Sequence, residues 1–128
     1  MQDEPTPGEL IKAVADFLRN EIVPEISGHQ AFKLRVSINA LDLVTRQLAL
    51  EQGSDIAEAA RLTELLGVPA DETRSLTELN RALADRIAKG KTDLQTLGLA
   101  AHLWQTTMDK LAIDQPNYAA YKRELGRE

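Results

Sequence analysis

The amino-acid sequence predicts an all-α protein, an orthogonal or up-down helical bundle of about five main helices plus a short C-terminal helix. Three observations carry that expectation. Apolar residues recur at spacings of three and four, as in Leu10, Val14 and Phe17 or Leu76, Leu79 and Leu83. Serine or threonine stands three residues before glutamate or glutamine at several segment starts, where the two side chains can satisfy orphan backbone donors. Lone glycines and prolines come after the apolar runs and stop them. No stretch alternates apolar and polar residues like a half-buried strand, and no segment repeats.

The first helix, over residues 6–23, opens on the capping box Thr6-Pro7-Gly8-Glu9 and carries Leu10, Val14, Phe17, Leu18 and Ile22 on one broad face. Pro24 ends it, because proline lacks an amide and crowds the preceding turn. The second helix, 28–52, takes Ser27 and Gln30 as reciprocal caps and Gly53 as a left-handed end. Its apolar residues Phe32, Leu34, Val36, Ile38, Leu41, Leu43, Val44, Leu48 and Leu50 nearly encircle the axis, which predicts a place at the centre of the bundle. Ser54 caps a third helix, 55–66, whose surface is Ile56, Ala59, Ala60, Leu62, Leu65 and Leu66; Gly67 and Pro69 stop it. The box Ser75-Leu76-Thr77-Glu78 opens a fourth helix, 76–89, closed by Gly90. Thr92-Asp93-Leu94-Gln95 caps the fifth, 93–113, along which Leu94, Leu97, Ala101, Trp104, Met108 and Leu111 form a core stripe and Gly98 a close-packing point. After Pro116 a short helix, 117–125, docks through Tyr118 and Tyr121. The organisation is one domain, 1–128, with a small helical subregion over 54–90 and charged, fraying ends at 1–5 and 126–128.

A chain of 128 residues that is 43% hydrophobic can bury one real core. No apolar run approaches the roughly 18 residues of a membrane span. The opening MQDEPTPGE lacks the basic and apolar regions of a signal peptide, so a cytoplasmic location is expected. Without cysteine there is no disulfide, thiolate metal site or thiol nucleophile. A net charge of −5 opposes attraction to nucleic acid or an anionic membrane. Arg81, Arg86, Lys89 and Lys91 alternate with Asp85 and Asp93 and read as a solvated face rather than a basic patch.

The most distinctive polar feature is the line Arg35, Asn39, Asp42 and Arg46, spaced four, three and four along the most apolar helix. Three readings stand side by side. The line is a solvated edge in which Asp42 pairs with Arg46, or a buried bridge to a neighbouring helix or subunit. In the third, two guanidiniums hold a carboxylate or phosphate while Asn39 fixes its orientation, making an anion- or partner-binding surface. His29 is a weaker polar candidate, near the positive end of the second helix where a neutral ring is favoured. His102 lies beside the fifth helix's apolar stripe with Thr106 one turn onward, an ordinary polar junction. Asp55 and Glu58 suit a helix N-terminus better than a general-acid pair. Two distant histidines build no zinc motif, the glycines form no phosphate loop, and no nucleophile motif occurs. No catalytic residue, metal or cofactor is therefore assigned.

The stretch Leu10–Leu48, and within it Phe32, Arg35-Val36 and Asn39-Ala40-Leu41, resembles an uncharacterised family of small bacterial all-helical proteins with a domain of unknown function. Genes for such proteins often neighbour acyl-CoA dehydrogenases and kinases resembling aminoglycoside phosphotransferases. The resemblance implies an accessory role beside one of those enzymes and carries no catalytic residue. The expected function is thus a noncatalytic accessory or interaction module of acyl-CoA-related metabolism, with a homodimer as a further expectation. The alternative is a module that binds an anionic acyl or phosphorylated ligand at Arg35 and Arg46.

Overall fold

Helix is the only regular backbone state among residues 3–127, the residues described by the computed structural model. Helix α1 (Pro7–Phe17) passes into a π-helical turn (Leu18–Ile22) and a 3-10 turn (Val23–Glu25). Helices α2 (Gly28–Leu66), α3 (Leu76–Ala88), α4 (Leu99–Asp114) and α5 (Ala119–Glu124) come next. The chain divides into two compact units, Met1–Glu51 and Gln52–Glu128, and α2 contributes to both. This division differs from the single domain with a 54–90 subregion that the spacing suggests. The buried residues fall into two separate sets along the chain, alanines and an isoleucine before residue 51 and a leucine cluster after it. The fraying ends expected at 1–5 and 126–128 include residues 1, 2 and 128, which lie outside the described residues.

In the first unit, the Thr6–Glu9 capping box is present: Glu9 N–H donates to Thr6 Oγ1 at 3.3 Å and Thr6 N–H to Glu9 Oε2 at 2.7 Å. The α-helix stops at Phe17, short of the expected residue 23. Pro24 brings no amide and its ring crowds the carbonyl four residues back, so the ladder widens and Val23 N–H reaches Leu18 O. Arg19, on that widened turn, donates to Asp16 at 2.9 Å and to Asp42 of α2 at 2.6 Å. These partners are about one-third exposed or more, so solvent screens both pairs and they contribute little to stability. Ala15, Ala31 and Ile38 are the buried residues of this unit. The encircled central helix expected over 28–52 is not seen: of its nine apolar residues only Ile38 is buried, and Phe32, Val36, Val44, Leu48 and Leu50 are exposed. The Ser27–Gln30 cap is also absent among the described residues. Gly28, at φ +66°, turns the chain between Ser27 and the first helical turn and takes the hydroxyl out of capping geometry.

Through residues 52–55, α2 continues where the sequence predicts a break with caps at Gly53 and Ser54. Gly53 keeps a negative φ. One interior glycine costs about 1 kcal/mol relative to alanine, and the flanking helical turns, rich in alanine from Ala57 to Ala60, outweigh it. Asp55 and Glu58 are accordingly mid-helix, and Glu58 Oε1 accepts Asn80 Nδ2 at 2.9 Å. The true end comes at Gly67 (φ +65°), where Val68 N–H reaches back to Thr63 O and Arg86 Nη2 covers Leu66 O at 2.8 Å.

The core of the second unit is Leu62 and Leu66 of α2, Leu79 and Leu83 of α3, and Leu99 of α4, with Ala59, Leu65, Val68, Leu76 and Ala82 packed against them. The Ser75–Glu78 capping box starts α3 as expected. Helix α4 begins at Leu99 rather than 93. Asp93 and Thr96 spend their polar groups on a local turn: Gln95 N–H donates to Asp93 Oδ1, Asp93 N–H to Thr96 Oγ1, and Thr96 N–H to Asp93 O. Thr92, expected to cap, is buried instead. Gly98 lies outside the helix at φ +89°. Leu94, Leu97 and Trp104, expected in a core stripe, are exposed because the first two precede the helix and the third faces away from Leu99. Tyr121 of α5 is buried, whereas Tyr118 precedes the helix and is exposed.

The two glycines should respond oppositely to alanine. Gly53 has a helical φ and open space where a Cβ would stand, so Gly53→Ala should stabilise by about 0.5–1 kcal/mol in urea unfolding. Gly67→Ala places a side chain at positive φ and should destabilise by about 1 kcal/mol. Leu79→Ala, at a site 2% exposed, should cost about 2–5 kcal/mol.

Candidate functional site

The four residues of the polar line on α2 stand in different surroundings. Asp42 is half-buried and held by Arg19 from the π-helical turn, which realises a bridge to a neighbouring element. Arg46 is half-buried and is not free. Arg35 and Asn39 are exposed and have no hydrogen-bond or ion-pair partner among the described residues. They share a helix face with exposed Phe32 and Val36, since positions 32, 35, 36 and 39 obey the three-and-four rule. His29 is exposed and its ring stacks on Phe32, with centroids 6.4 Å apart and planes 10° from parallel. No acid or hydroxyl joins it among the described residues, so nothing there prepares it as a base.

A more constructed polar arrangement lies within the second unit. Arg61 and Leu65 of α2, the turn residues Thr96 and Leu97, Gly98, and Ala101 and His102 of α4 line an open hollow of about 460 Å³, with Glu64 also on its wall. Arg61 Nη2 approaches Thr106 Oγ1 at 3.4 Å and Asp109 Oδ2 at 3.5 Å, distances at the long limit of hydrogen bonding. Arg61 Nε and His102 Nδ1 are sealed from solvent and have no hydrogen-bond partner. His102 as a whole is 3% exposed. Burial, then the nearby Arg61 cation, pushes its imidazole below the usual histidine range, which favours the neutral ring at neutral pH.

The N-terminus of helix α4 has no side-chain cap. Gly98 carries no side chain with which to cap it. Leu99 N–H uses Thr96 O and His102 N–H uses Gly98 O, but the amides of Ala100 and Ala101 have no partner among the described residues. Helical spacing marks His102 as a polar junction with Thr106 and leaves Arg61 unmarked. The signal that singles out this arrangement is the line His102, Thr106 and Asp109, spaced four and three, facing a lone arginine among Ala59, Ala60, Leu62 and Leu65.

Fold and polar geometry together define an all-α protein whose distinctive features are exposed apolar residues in one unit and an open hollow beside Arg61 and His102 in the other. The chain belongs to the DUF6285 family, a domain of unknown function, whose model matches residues 24–118. That match takes in the Phe32–Leu41 pattern and the hollow but not α1. No curated protein and no solved structure matches the chain. Among the described residues no helix is long and apolar enough to cross a membrane, and no group of three or more His, Asp or Glu is placed to hold a metal ion.

The depressed His102 value has a definite sign in stability. Below pH 6.5 the unfolded chain binds a proton at this position before the folded chain does, so stability falls as pH drops through that value toward the folded one. An imidazole NMR titration should place the His102 midpoint below 6.5, and His102→Gln should flatten the pH dependence of urea midpoints below pH 6.5.

Proposed function

We propose that the protein is a noncatalytic helical interaction module that pairs with a second copy through the apolar face of its first unit. The observation that carries this reading is Leu10, Val14 and Phe17 of α1, spaced as one stripe yet 46%, 51% and 49% exposed. Phe32 and Val36 of α2 are exposed in the same unit. Covering the open half of each such side chain contributes about 1 kcal/mol, which favours a protein surface over water. Around the α1 stripe Lys12 is paired with Asp16, and Arg19 with both Asp16 and Asp42. Two copies meeting there bring little uncompensated like charge, as a self-complementary interface requires. Arg35 and Asn39 then form a polar rim beside Phe32 and Val36.

In this reading the module acts in the bacterial cytoplasm as an accessory to an enzyme of acyl-CoA-related metabolism, an acyl-CoA dehydrogenase or an aminoglycoside-phosphotransferase-like kinase. The resemblance of the Phe32–Leu41 segment supports that placement.

Native mass spectrometry and light scattering should find a dimer for the natural sequence. The exposed double variant V14E/F17E should be monomeric with an unchanged circular dichroism spectrum. A natural protein that stays monomeric at about 100 μM, a concentration at which even weak specific pairing is populated, rejects the self-association. Absence of any complex with the purified dehydrogenase and kinase, and of any change in their rates, rejects the accessory role.

A further inference from the structure

The backbone of α2 is continuous across a stretch whose residues are those of two helix ends. Gly53 is of the type that ends helices, and Ser54, Asp55 and Glu58 are of the types that begin them. The structure gives none of them that work, because Gly53 keeps a negative φ and the helix runs on to Leu66. Nor does it engage Ser54 otherwise. Ser37, Thr45 and Thr107, also inside helices, each donate to the carbonyl four residues back, whereas the Ser54 hydroxyl has no hydrogen-bond partner among the described residues.

Two further observations mark this stretch as the weak one. Residues 48–53 are all exposed, so over more than a full turn no flank of the helix is sealed against a core. Residues 47–60 carry Glu51, Asp55 and Glu58 and no lysine or arginine. Glu51 and Asp55 stand four apart and Asp55 and Glu58 three apart, so the continuous helix sets like charges side by side. A break at Gly53 reverses each of these effects. Glycine takes a left-handed φ without steric penalty, and Ser54 Oγ can accept from an amide opened in the next turn. Asp55 and Glu58 then lie at the positive end of the new helix, with Glu51 on a separate segment. We propose that α2 is a hinge, its continuous form exchanging with a less populated form that turns at Gly53 and restarts behind a Ser54 cap. Neither core has to open, because Ile38 lies before the break and Leu62 after it, and the boundary between the compact units falls between Glu51 and Gln52. For an interaction module, the hinge frees one unit to turn while the other is held by a partner.

The test is residue-resolved amide hydrogen exchange of the full natural chain by NMR, corrected for intrinsic rates. In the broken form the amides of residues 54–57 lose their helical acceptors, while Glu58 N–H keeps Ser54 O. Fast exchange should therefore be confined within residues 54–57, about tenfold faster than at residues 41–45 and 60–64 of the same helix. Gly53→Ala favours the helix and penalises the left-handed turn, so it should slow that exchange about tenfold. Ser54→Ala removes the cap and should slow it about fivefold, whereas Ser54→Asp, an equivalent cap, should leave it unchanged or quicken it. If a variant does not fold, the natural chain's pattern decides the matter alone. Uniform exchange across residues 41–64, fast exchange spreading past Glu58 to Leu62, or equal rates in Ser54→Ala and Ser54→Asp each overturns the proposal.

Discussion

Burial of Leu62 and Leu66 sets the rotational phase of α2 in the second unit, and the polar geometry there depends on it. Successive helical residues are turned by about 100°, so sealing Leu62 and Leu66 against Leu79, Leu83 and Leu99 leaves Arg61 and Leu65 together on one flank. Leu99 does the same for α4, bringing His102, Thr106 and Asp109 onto the flank that Arg61 meets. The arginine is thus placed by its apolar neighbours rather than by its own ion pair, whose 3.5 Å contact is too long to direct anything. A shift of one residue in either helix would turn the guanidinium to solvent and bury a different side chain.

Some helix starts carry a side-chain cap and others, that of α4 among them, do not. Thr6 with Glu9 and Ser75 with Glu78 close their termini with carboxylates, whose protonation is disfavoured by the backbone and hydroxyl donors they accept from. Ahead of α4 the same residue types do different work. Asp93 and Thr96 fold onto their own backbone amides, which consumes the capping groups before the helix begins. Gly98 then turns the chain and adds no acceptor. The free Ala100 and Ala101 amides are the consequence of that local competition.

Features decided by local chemistry are legible in the sequence. Both glutamate capping boxes, the stop at Gly67 and the start of α3 depend on residues within one turn, and spacing alone reveals each of them. Gly53 and Gly67 look alike in sequence; their difference lies in the residues on their C-terminal side. Pro69 and the carbonyl-covering Arg86 enforce an end after Leu66, while alanines carry the helix past Gly53. Exposure is less legible, because an apolar spacing names a face without naming its cover. The Leu94–Trp104 stripe and the apolar girdle from Phe32 to Leu50 have the right period and stand largely in solvent. The Arg35–Arg46 residues do share a line on α2, but Arg19 takes Asp42 out of it across 23 residues of sequence. Arg61 escapes a sequence reading for the same reason, since its partners lie 45 and 48 residues away.

The two units distribute their unfavourable surface differently. The first leaves Leu10, Val14, Phe17, Phe32 and Val36 open to water, so its deficit is apolar cover. The second buries its leucines well and leaves two buried polar atoms, Arg61 Nε and His102 Nδ1, unmatched. Stability alone would favour replacing His102 with a residue that needs no partner, because an unsatisfied buried donor costs roughly 1–3 kcal/mol. A leucine there would extend the apolar wall from Leu99 and Leu65.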